Sequence, residues 1–139
     1  MKRQASQKQF TAAISDSDSA ANFLREDLND LDHEESWVLY LNNCNRPLDK
    51  LMITAGSIAS TIIDHRRIVK QALLCNATRI ILFHNHPSGN PLPSKADITE
   101  TEKLKKACDL FEISLLDHII IAEDSFYSFA DESRKTFRK

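Results

Sequence analysis

The run Arg79-Ile80-Ile81-Leu82-Phe83-His84 constrains the fold of this chain more than any other segment: it has strand length and no polar alternation, as a strand covered on both faces does. Such a strand is central in its sheet and needs a layer above and below it. Asn85 and His86 follow. Then residues 87–94, Pro-Ser-Gly-Asn-Pro-Leu-Pro-Ser, hold three of the four prolines and can be neither helix nor ladder. A stiff loop is therefore attached to the end of a central strand.

The flanking segments alternate in type. Ser15 to Ser19 offer N-caps ahead of Ala20, Ala21, Phe23, Leu24 and Leu28, which predicts a helix over about 18–28. Residues 37–41 read as a strand, 42–47 as a turn and 48–54, more weakly, as the partner strand. Asp64 caps a helix carrying Ile68, Val69, Ala72 and Cys75, with Asn76 just past its end. Beyond the proline loop, Leu104, Ala107, Cys108 and Phe111 place a helix over 95–111, before strands at 113–122 and 126–129. The alternation predicts an α/β domain. A length of 139 residues, 42% of them hydrophobic, suits one core. The expected domain is 12–132, with a frayed polar segment at 1–11 and a basic tail at 133–139.

Several function classes fall away on composition. With 18 basic and 20 acidic side chains the net charge is -2, so nothing global draws the chain to nucleic acid or to an anionic membrane. Two glycines are too few for a glycine-rich phosphate cradle. Three cysteines with no Cys-x-x-Cys, and no apolar leader after Met1, predict a reduced cytoplasmic protein with inert thiols. No apolar run approaches the roughly 20 residues of a membrane helix.

Chemistry concentrates at the end of the central strand. His84 and His86 stand two apart, so both imidazoles face one side and can reach one ion. A catalytic zinc needs three protein ligands and an open position, and Asp97, on the first turn of the helix behind the stiff loop, can be the third. Ser94 and Asp97 also form a capping-box pattern, Ser-x-x-Asp, which alone would account for both residues. The two readings overlap, because a capping serine can still turn its hydroxyl toward an ion. His33, His65 and His118 are isolated, and His118, in a long strand, is expected to make a core hydrogen bond. A zinc deaminase would need His-x-Glu followed by Pro-Cys-x-x-Cys, and neither is present.

The whole string His84-Asn85-His86-Pro87-Ser88-Gly89 through Pro93-Ser94-Lys95-Ala96-Asp97 resembles the JAMM metalloprotease motif of JAB/MPN domains, in its bacterial RadC-like form. Val38-Leu39-Tyr40-Leu41-Asn42, Leu116-Asp117-His118-Ile119 and Tyr127-Ser128-Phe129-Ala130-Asp131-Glu132 resemble RadC-type segments too, so the likeness runs over about 12–132. It implies a single JAB/MPN-like, cytidine-deaminase-like domain with a mixed sheet flanked by helices. It also implies Zn2+ on His84, His86 and Asp97, and a zinc-bound water attacking a peptide or isopeptide bond of a protein substrate. By the register of the family motif the general base is Glu34, four residues before Val38; its neighbour Glu35 is the competitor, and strand alternation sends the two to opposite faces. Ser94 would stabilise the oxyanion, while Ser88 and Gly89 shape the loop. The competing expectation is a RadC-like accessory protein of DNA repair or mobile elements. Against it, larger RadC proteins carry a helix-hairpin-helix type segment that this chain is expected to lack.

Overall fold

The computed structural model describes residues 12–137. In chain order the elements are α1 (Ser17–Leu28), β1 (Glu35–Leu41), β2 (Pro47–Ala55), α2 (His65–Leu74), β3 (Arg79–Asn85), α3 (Lys95–Asp109), β4 (Ser114–Ile121), β5 (Ser125–Ser128) and β6 (Ser133–Thr136). The strands make one sheet in the order β2-β1-β3-β4-β5-β6, so β3 is interior, as its apolar run requires. β3 and β4 run parallel, joined through α3, while the other neighbouring pairs are antiparallel. The result is the expected α/β domain: a mixed sheet flanked by helices.

Register decides what each face carries. Ser36 lies opposite His84 and Tyr40 opposite Ile80, so even-numbered residues of β1 and β3 share a face. That face buries Val38, Tyr40, Ile80 and Leu82 against Ile68, Val69 and Ala72 of α2 and Leu104 and Cys108 of α3. The other buries Leu39, Leu41, Ile81 and Phe83, with Ile119, Ile121 and Phe126, against Ala20, Ala21, Leu24 and Leu28 of α1. Each fully buried Leu, Ile or Phe contributes about 1.5–3 kcal/mol, which makes these two layers the main driving force of folding. The predicted caps form: Asp16 accepts from the Ser19 amide at 2.8 Å, and Asp64 from the Arg67 amide at 3.1 Å. Asn76 takes the left-handed conformation, φ 58°, that ends α2.

One expectation is corrected. Residues 133–139 read as a basic tail, yet Ser133–Thr136 pair with β5 as the edge of the sheet, and Phe137 is 6% exposed against Phe126. Lys135 is held by Asp131 and by Ser17 Oγ, both at 2.8 Å, and the Arg25 guanidinium lies 4.0 Å from the Phe137 ring centre. The segment 1–11, expected to fray, lies outside the described residues. Among those described, no helix is long and apolar enough to cross a membrane.

Candidate metal centre

Strand alternation carries His84 and His86 to one side of the sheet, where their Nε2 atoms are 2.9 Å apart. The first turn of α3 brings in Asp97, whose Oδ1 is 3.0 Å from His84 Nε2 and whose Oδ2 is 3.3 Å from His86 Nε2. Both His84 and Asp97 are buried, at 1% and 2% exposure. Donors about a tetrahedral zinc, bonded at about 2.0–2.1 Å, stand roughly 3.3 Å from one another. Two ring nitrogens and a carboxylate at these spacings therefore fit the shell of one small divalent cation.

The rings are held in the orientation that such a shell needs. His86 Nδ1 lies 2.8 Å from the Asn90 carbonyl oxygen, which can only accept, so Nδ1 carries the proton and Nε2 turns a lone pair to the centre. A longer chain of bonds does the same for His84. Thr101 Oγ donates to the Asp97 carbonyl at 2.7 Å, which leaves it an acceptor toward His118 Nδ1 at 2.6 Å. His118 Nε2 then accepts from His84 Nδ1 at 2.7 Å, and His84 Nε2 is left unprotonated at the centre. Burial lowers the pKa of both His84 and His118, so the chain consists of neutral imidazoles. Burial also works against a charge on His86, but the Asp97 carboxylate and the Asn90 carbonyl beside its ring favour the charged form and raise its pKa above the ordinary value. For Asp97 burial favours the protonated form, and the His84 and His86 rings beside its two oxygens outweigh it, holding the carboxyl well below the usual range.

Ser94 caps α3 and forms the capping box with Asp97: Ser94 Oγ accepts from the Asp97 amide at 3.1 Å, and the Ser94 amide donates to Asp97 Oδ2 at 2.8 Å. The box thus orients the Asp97 carboxylate while capping the helix. Glu34 precedes β1 and joins His84 and His86 in a group whose ligand atoms all lie within 4.8 Å of one another. This group and the Asp97 set overlap at the two histidines, and the Asp97 spacing is the tighter. Glu35 is committed elsewhere: Oε1 accepts from Trp37 Nε1 at 3.0 Å and Oε2 lies 2.8 Å from His33 Nε2. Glu34, His86, Asp97 and Ser94 open onto a polar cleft of about 480 Å³, whose other wall includes Ser57 and Ala59. A larger cavity of about 560 Å³ lies between α2 and α3, but it is lined mainly by apolar side chains such as Val69, Leu73 and Phe111 and includes none of these residues.

The family described as RadC-like JAB domain matches residues 14–134. The chain belongs to the RadC-like JAB domain family. It is 44% identical over 119 residues to a UPF0758 protein of Flavobacterium johnsoniae, covering 86% of this chain and 52% of that protein. To the UPF0758 protein PM1152 of Pasteurella multocida it is 41% identical over 122 residues, 88% of this chain and 54% of the relative. To the UPF0758 protein YfjY of Escherichia coli it is 41% identical over 119 residues, 86% of this chain and 74% of the relative. The chain spans about half the length of the first two relatives.

Within this RadC-like JAB domain, three residues near the centre escape a reading of the motif alone. His118 makes the core hydrogen bond expected of it, but its partner is the ring of His84, and Thr101 closes the chain one helical turn after Asp97. Asn85 is 3% exposed, with its side-chain amide bonded to the main chain on both sides of Glu34. Besides the strand position of His118, a sequence clue exists for Asn85: between two histidines on a strand, alternation must turn it to the opposite face.

Proposed function

We propose that this domain is a zinc-dependent hydrolase of JAMM type, cleaving a peptide or isopeptide amide bond of a protein substrate. The observation that carries the reading is the convergence of His84, His86 and Asp97 at 2.9–3.3 Å on one point beside an open cleft. Those three residues would hold the ion. Zinc in such a site supplies Lewis acidity and brings the pKa of water to about 7. Glu34, on the face of the histidines, takes a proton from the attacking water and returns it to the departing amine nitrogen, as a general base and then a general acid. Ser94 accepts from the Asp97 amide, so its own proton is free to donate toward the carbonyl oxygen as negative charge develops there. The cleft is open and polar, which suits an extended chain rather than a small enclosed ligand.

Metal analysis and hydrolysis of linear and isopeptide-linked peptides test this together. We expect about one zinc per chain, lost in Asp97→Asn. Glu34→Gln should keep the zinc and lose about 10²–10⁴-fold in rate. A zinc-free protein, or full activity in Glu34→Gln, overturns the reading. The alternative, a RadC-like accessory protein of DNA repair or mobile elements, is supported at the level of the family; the cleft itself is lined by Asp32, Glu34 and Asp97 and carries no Lys or Arg for phosphate.

A further inference from the structure

We propose that Asn85 is a positioning residue for Glu34, clamping the main chain on both sides of that carboxylate; the consequence for chemistry rests on the reading of Glu34 as proton acceptor. The β1–β3 ladder ends at the pair Ser36–His84. Past that pair the His86 amide donates to the Ile121 carbonyl of β4 at 2.9 Å and Pro87 has no N–H to donate, so neither amide reaches the chain ahead of β1. The Asn85 side chain adds two bonds to that chain. Its Oδ1 accepts from the Glu35 amide at 2.7 Å, and its Nδ2 donates to the His33 carbonyl at 2.9 Å.

A carboxamide carries the same donor and acceptor pair as a peptide unit, so it can bond a neighbouring main chain as a ladder rung does. Glu34 is then held between two bonded peptide groups, which narrows the backbone rotations that would swing its side chain away from His84 and His86. Alternation places Asn85 on the face of Glu35 and Trp37, away from the cleft, so it neither ligates nor touches substrate. Aspartate at 85 would keep the bond to the Glu35 amide but set a charge against the His33 carbonyl. Alanine would lose both bonds and leave buried polar groups without partners.

The test compares wild type, Asn85→Ala, Asn85→Asp, Glu34→Gln and the Asn85→Ala/Glu34→Gln double variant. Hydrogen exchange of the Glu35 amide, measured on metal-free protein, reads the clamp itself. We expect about tenfold or faster exchange in Asn85→Ala and near wild-type protection in Asn85→Asp, with the Phe83 and Val38 amides unchanged. Cobalt(II) absorption reads the consequence. The visible bands of Asn85→Ala should move toward those of Glu34→Gln, the double variant should move no further than Glu34→Gln, and cobalt affinity should stay within about threefold of wild type. Unchanged Glu35 exchange in Asn85→Ala overturns the clamp. So does a cobalt affinity weakened about tenfold or more, since Asn85 would then serve the histidines. Wild type that binds no cobalt while the exchange difference persists upholds the clamp and strikes only the metal reading.

Discussion

Thr101, His118 and His84 form a line of hydrogen bonds from the helix α3 to the ring that faces the candidate centre, and each member depends on the next for its tautomer. Without an acceptor at His118 Nε2, the His84 proton is free to move to Nε2 and block that donor. We therefore expect His118→Ala to weaken zinc affinity about 10–100-fold although the residue never touches the ion, as measured by competition with a chromophoric chelator. Unchanged affinity would mean that packing alone orients His84. The thiols behave according to burial. Cys108 is fully buried, which pushes its pKa up to about 11, while Cys44 is exposed. At pH 7.5 alkylation should label Cys44 promptly and Cys108 only under denaturing conditions, read by peptide mass.

At the scale of elements, α3 serves fold and site with the same turn. Its capping box ties Ser94 to Asp97, which removes orphan amides at the helix start and turns the carboxylate toward the histidines. Removing the side chain of Asp97 thus costs the cap, about 1 kcal/mol, as well as the proposed ligand, whereas asparagine there keeps an acceptor for the cap. Strand β6 shows the reverse case, an element whose own residues barely announce it. Ser133, Arg134, Lys135 and Thr136 have no apolar face, and the strand is secured by pairing with β5, by Lys135 and by Phe137. Phe137→Ala should lower stability by about 3 kcal/mol in urea unfolding, because the ring is buried against Phe126. An effect below about 0.5 kcal/mol would fit the basic tail expected from composition.

For the molecule as a whole, an ion on His84, His86 and Asp97 would join the end of β3 to the start of α3 across the proline loop. A ligand that binds only the folded state stabilises it by about 2.7 kcal/mol at a hundredfold excess over its Kd. Zinc should raise Tm by several degrees, EDTA should reverse the shift, and Asp97→Asn should show little of it; an unshifted wild type would count against the centre. The sequence by itself determined the elements with strong periodicity or caps: the buried strand β3, the capped helices and the α/β class, because burial patterns and caps act over a few residues. It also brought His84 and His86 to one side, since alternation is a local rule, and it set Glu34 and Glu35 on opposite faces. Only the tertiary structure decided which face meets the cleft, that Asp97 reaches both histidines, and that His118, 34 residues from His84, fixes its ring. Asn85 belongs with these. Its role depends on where a ladder between β1 and β3 stops, and that end is set by the packing of distant strands rather than by any short stretch of chain.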